Sequence, residues 1–258
     1  MLKRTLPLLL LTGLLAAQTP QLPASPQMRY VDFSADLDRT SVVVVVGTLG
    51  KLKEGKRERL ADGNLGSGTA NVSVSGTQYF KVPVTATITP RAVLAGKADK
   101  LQLAFELQLA RLPDGKEKRQ ALTGNGAQLD DDTLALFVVA NKPKGKGLEL
   151  LHVIPFDANT DKGADAEAKF ADTMRDFYAV NQRVHDLRER LDAVDKAVGP
   201  EAKQKALDAL KELYEKKLEL RQSANDALVT QHVGPLETRA KKRLDEAGGT
   251  GKGGDAGK

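Results

Sequence analysis

The chain has 258 residues, 28% of them charged, a net charge of +5, and neither cysteine nor tryptophan. Without cysteine there can be no disulfides, thiolate metal sites, cysteine nucleophiles or lipid-modified cysteine. Lysine and arginine alternate with aspartate and glutamate, and aromatics make up only 4% of the chain. This argues against a nucleic-acid surface, which clusters cations around stacking rings.

Lys3 and Arg4, the apolar run 6–17 and the small residues Ala16 and Ala17 read as a secretory signal peptide over residues 1–18. The run is shorter than the about 20 apolar residues that span a bilayer, and no later stretch is long enough. No membrane span is therefore expected after cleavage. Residues 19–27 form a Pro-rich lead-in. Export without disulfides points to a periplasmic or secreted bacterial protein.

From residue 28 to 156 the hydrophobic period is two. Phe80, Val82, Val84, Ala86 and Ile88 alternate with Lys81, Pro83, Thr85 and Thr87, and Leu101, Leu103, Phe105, Leu107 and Leu109 repeat the pattern. Each such run is a strand with one buried face. Residues 42–46 are five consecutive valines, which suits a strand buried on both faces. Residues 133–140 and 148–154 are further apolar strands. Pro83 marks an edge or a bulge. Lys51, Lys53, Lys56, Arg57 and Arg59 fall in a long, solvated loop, and Gly63 to Gly68 in another. Pro113-Asp114-Gly115 is turn chemistry, and a basic, Gly-rich turn covers residues 142–147. About seven short strands predict an antiparallel β-barrel or sandwich.

Residues 38–140 carry a resemblance. The valines running into Gly47, the segment 86–96 ending Val93-Leu94-Ala95-Gly96, and the late apolar strand 133–139 are similar to the OB-like barrel of netrin modules and tissue inhibitors of metalloproteinases. Ala95 replaces the lysine of that pattern. The resemblance implies a small OB-like barrel. It implies no inhibitory site, because those inhibitors act through an N-terminal cysteine.

Residues 157–164 form a polar linker, and residues 165–247 take the helical period. Phe170, Thr173, Phe177, Val180, Val184, Leu187, Leu191, Val194 and Val198 make one seam at a mean spacing of 3.5 residues, as in a coiled coil. Gly199-Pro200 stops the first helix and starts a second. That second helix is expected to run to about His232 at nearly equal length, which predicts an antiparallel helical hairpin. Its broad stripe includes Leu213, Leu218 and Leu220, free to face the β half or a second copy. Gly234-Pro235 is a further break before a short third helix over 236–247. Residues 248–258 are a Gly/Lys tail with nothing to bury, expected to be disordered.

Chemistry is sparse. His152, His185 and His232 are scattered, and none is matched with a second ligand at a metal spacing such as i, i+4; His185 is expected to face solvent. No serine elbow, phosphate loop or dinucleotide fingerprint is present. Asp157, Asn159 and Asp161 alternate as in a calcium loop, but glycine stands seventh and Glu167 eleventh rather than sixth and twelfth. The simpler reading is a linker whose Asp161 or Asp165 caps the helix. Asp130-Asp131-Asp132 is an acidic turn. No catalytic, cofactor-binding or metal-binding residue is assigned, and no cofactor.

The fold class is therefore α+β, an OB-like barrel or sandwich followed by a coiled-coil hairpin. The functional expectation is an exported, non-enzymatic interaction or scaffold protein of the cell envelope. Its helical region docks a protein partner or a second copy, and no nucleic acid. The alternative is a small-molecule or carbohydrate binding module, with Tyr30, Tyr79 or Phe80 in its groove and the hairpin as brace.

Overall fold

The computed structural model describes residues 30–39, 41–60, 76–98, 101–121, 127, 129–142, 147–157 and 163–249. Residues 1–18, expected to be a signal peptide, the expected Pro-rich lead-in and the Gly63 to Gly68 loop, Asn159, Asp161 and residues 250–258 lie outside them.

The fold is α+β, one mixed sheet followed by helices. The strands are β1 (Val43–Leu49), β2 (Lys53–Glu54), β3 (Glu58–Arg59), β4 (Gln78–Ala95), β5 (Leu101–Arg111), β6 (Glu117–Ala121), β7 (Leu134–Asn141) and β8 (Leu148–Pro155). β1 pairs with β4 and β7, β7 with β8, β8 with β5, and β5 with β4, so the pairings return to β1. All are antiparallel except β5 with β8, which meet at one register pair, Leu103 with Leu148. β6 extends β5, and β2 and β3 lie along β4. The basic loop around Lys53 and Arg57 is thus partly strand.

Two glycines are forced by this pairing. A Cβ on Gly47 would stand 2.7 Å from Ile88 Cγ2 and from the Thr89 carbonyl, beside a register shift between β1 and β4. Gly96 has a φ of +76°, and a Cβ there would meet the Val42 carbonyl at 2.5 Å. The segment ending at Ala95 is strand up to that bend.

Pro83 sits inside β4 opposite Glu106. Its carbonyl accepts from the Gly55 amide at 2.7 Å, so its nitrogen faces the same side, where β2 has ended and β3 has not begun. The missing N–H removes only the return bond to Gly55, at the point where β2 ends.

The five valines explain themselves by the two-residue period. Val43 and Val45 enter a core with Val82, Val84, Leu103, Leu107, Phe137 and Val139. Val44 and Val46 turn to the opposite face and pack with Leu136, Val138, Ile154, Phe170, Met174 and Phe177. β7 divides its side chains the same way. Each fully buried Leu, Val or Phe stabilises by about 1.5–3 kcal/mol.

Helices α1 (Ala166–Lys196), α2 (Pro200–Glu215), α3 (Asp226–Leu228) and α4 (Gly234–Gly249) follow. Among the described residues no helix is long and apolar enough to cross a membrane. The seam of α1 is buried from Phe170 to Val194, with Met174 taking the place expected of Thr173. It changes partner midway: Phe170, Met174 and Phe177 pack on the sheet, whereas Val180, Val184, Leu187, Leu191 and Val194 pack with Leu207, Leu210, Val233 and Ala240. Val198, expected to close the seam, is 89% exposed; the helix ends two residues earlier.

The second helix stops at Glu215, far short of His232. The cause is Asp176, buried at 2% exposure on α1. Its carboxylate accepts from the Arg221 and Gln222 amides at 2.8 and 2.9 Å and from Asn225 Nδ2 at 2.9 Å. A side chain thereby supplies what helical carbonyls would have supplied. Leu213, Leu218 and Leu220 are half-buried against the helical core, so they are not a free outer stripe.

Gly234-Pro235 does not break the chain. A π-helix over Val229–Val233 runs directly into α4. Its wider turn relieves the clash of the Pro235 ring with the preceding carbonyls. Asp165 stands at the N-cap of α1 without a side-chain cap bond.

Candidate functional site

Residues 30–39 form a strap laid across the sheet and the helices, with a 3₁₀ turn over Ser34–Asp36. Phe33 is fully buried against β1, β7 and α1. All three histidines of the chain touch this strap. His152 Nε2 on β8 lies 2.7 Å from Asp36 Oδ2. His185 Nε2 on α1 lies 3.5 Å from Asp38 Oδ1. The His232 ring stacks 4.2 Å from Tyr30, which also meets Phe177 edge-on at 5.4 Å.

The strap's electrostatics follow from its contacts. Burial works against ionisation of the Asp32 carboxyl. The Ser34 hydroxyl and amide, at 2.6 and 3.0 Å, together with Arg188, outweigh it and hold the group below its usual value. Burial, reinforced by Asp32, pushes the Tyr30 hydroxyl upward.

His185 does not face solvent; its side chain is 14% exposed and turned to the strap. Glu189 stands four residues on, and His185, Asp186 and Glu189 each offer a ligand atom within 4.8 Å of the others. The expectation that no histidine has a second ligand at i, i+4 fails here, because Glu189 stands four residues from His185.

A separate groove of about 590 Å³ crosses β4, β5 and β8, with residues 53–55 as its lip. Lys53, Pro83, Phe105, Glu106, Lys142 and Glu149 line it. It opens directly beyond the Leu103–Leu148 pair. At Ala104, Phe105 and Glu106, β5 is paired to β4 on one side, and among the described residues has no ladder partner on the other. The groove's glutamates are already matched: Glu106 to Lys81 at 2.9 Å, Glu149 to Arg39, and Glu54 to Arg57 and Arg119 at 2.8 and 2.9 Å. Lys53 and Lys142 have no ion-pair partner among the described residues. The groove therefore offers two uncompensated ammonium groups over an apolar floor.

Beside it, Arg57, Arg111 and Arg119 tie β6 to the β2–β3 segment through Glu54 and Glu117. Arg111 and Arg57 hold the Glu117 carboxyl below its usual range.

The aromatic residues read as groove candidates are not brought together. Tyr30 lies in the strap among Phe177 and His232, while Tyr79 and Phe80 lie on β4, where Phe80 carries Arg111 at 5.5 Å from its ring. Asp157 is described but Asn159 and Asp161 are not, so the calcium-loop candidate lies outside the described residues. The acidic turn is structural: Asp131 accepts from the Leu52 amide at 2.9 Å, and Asp132 has a φ of 62°. The chain matches no family model, no curated protein and no solved structure.

Proposed function

We propose that this is an exported, non-enzymatic interaction protein of the cell envelope that docks an extended, acidic segment of a partner protein in the β4–β5–β8 groove. One observation carries the reading: among the described residues, the edge of β5 at 104–106 has no ladder partner and lies beside two lysines with no ion-pair partner. An extended segment adds backbone hydrogen bonds to such an edge, and its carboxylates answer the lysines. The helices serve as a brace, because the α1 seam is spent on the sheet and on α2 and α4.

We read the five-strand circuit as an OB-like barrel and the α1–α2 pair as a helical hairpin. Support for the barrel is the order of pairing, with the parallel contact among the described residues falling between β5 and β8. The groove volume also falls within the about 300–1,000 Å³ of small-ligand sites, which keeps a small-molecule binding module as the second reading. Scarce exposed aromatics weigh against a carbohydrate.

The test is fluorescence anisotropy of the full chain with a labelled, extended Asp/Glu-rich peptide, against a Lys-rich control. Lys53→Glu with Lys142→Glu should weaken binding about tenfold or more, and salt should do the same. Equal binding of both peptides, or no response to the double variant, rejects the reading.

A further inference from the structure

We propose a second, independent site: a divalent transition-metal site of the zinc class formed by His185, Asp186 and Glu189 of α1 and Asp38 of the strap. A cavity of about 410 Å³ lies between the strap, α1 and α4; His185, Glu189 and Asp38 line it, and Asp186 stands outside it, within 4.8 Å of the other two α1 ligands. The His185–Asp38 separation of 3.5 Å is long for a hydrogen bond. It equals the about 3.4 Å that two ligand atoms take on a tetrahedral ion bound at about 2.1 Å. The 4.8 Å limit on the three α1 ligand atoms exceeds that spacing by an amount that small side-chain rotations close.

Two arginines line the same cavity, and neither serves these ligands. Arg188 donates to Ser34 Oγ at 2.6 Å and stands 3.5 Å from Asp32. Arg239 donates to Asp195 at 2.5 Å. Asp186 is oriented by Gln182, whose amide donates at 2.7 Å, and this leaves its second oxygen for a metal. Glu189 has no partner among the described residues apart from this group. His185 faces Asp38 at 3.5 Å across the cavity and is grouped with Asp186 and Glu189 on its own helix. An imidazole in the set selects zinc-class ions over calcium and magnesium. Because the ligands come from both the strap and α1, a bound ion would pin one to the other.

The experiment is calorimetric titration of the full chain with zinc, and of cobalt as a spectroscopic stand-in, against His185→Gln, Glu189→Gln and Asp38→Asn. One zinc per chain is expected. His185→Gln should weaken binding about tenfold or more, with a smaller loss for each carboxylate variant. His152→Gln and His232→Gln should leave it unchanged. Visible cobalt bands of tetrahedral intensity, lost in His185→Gln, report the geometry apart from any effect on folding, and far-ultraviolet dichroism checks that each variant is folded. No heat at millimolar zinc, or equal titrations for wild type and His185→Gln, overturns the proposal. The groove's peptide binding is read separately, so either proposal can fail alone.

Discussion

Phe33 and Asn181 lie 148 residues apart, and the Phe33 amide donates to Asn181 Oδ1 at 2.7 Å. The same side chain donates to the Val31 and Phe177 carbonyls at 3.2 and 2.8 Å, and it is fully buried. One amide thus satisfies two backbone groups of the strap and one of α1. Asn181→Ala leaves the Phe33 N–H and the Val31 carbonyl without partners. The expected cost is about 3 kcal/mol, read from urea denaturation; a loss below about 0.5 kcal/mol contradicts this account.

Asp176 governs where the second helix stops. Asp176→Ala should cost about 2–4 kcal/mol, since three donors lose a charged acceptor in a buried place. Amide exchange at Arg221 and Gln222 should speed up selectively. Uniform exchange changes along the helices would show that the carboxylate has no such local role.

Arg183 is 5% exposed and joins three helical elements, donating to the Leu213 carbonyl and to Glu237 Oε1 at 2.5 and 2.9 Å. Removing only Glu237 leaves a buried guanidinium without its counter-charge, an expected loss of about 3 kcal/mol. Replacing both by Met and Leu should recover most of it. A double-mutant cycle with additive losses would remove the case for coupling.

Acid should loosen the strap through Asp32. Its folded value is depressed, so the contribution is present above the unfolded value of about 3.9 and is lost as pH falls through the lower, folded value. Proteolysis or exchange of residues 30–39 should therefore rise at the acid end, and Asp32→Asn should flatten the profile. An identical profile in that variant is the contrary result.

Leu191 and Val198 were equals in the sequence seam and are opposites in the structure, at 1% and 89% exposure. Leu191→Ala should cost about 2–5 kcal/mol. Val198→Ser should stay within about 0.5 kcal/mol. A large loss in Val198→Ser would mean that the tip is covered in solution.

What could be read from sequence was what short-range periodicity encodes. Alternation in β4 and β5 and the valine run of β1 announced buried faces, and the seam of α1 announced a helix packed along one side. Periodicity reports that a face is covered but not by what: the α1 seam meets the sheet as far as Phe177 and other helices from Val180 onward. The end of α2 was hidden because its cause, Asp176, is forty-five residues from the amide it holds. The passage through Gly234-Pro235 needed a π turn that local rules do not anticipate. In sequence the strap reads with the β half, and Tyr30 as a groove residue, because nothing local marks residues 30–39 as a 3₁₀ turn and coil rather than a strand; the groove depends on where β5 and β8 part.

Since β1 and β7 each send alternate side chains to two cores, neither half of the protein can be removed cleanly. A chain ending before Ala166 would uncover Val44, Val46, Leu136, Val138 and Ile154 together, a greasy face that invites clumping. The sheet and the first half of α1 should therefore melt in a single step.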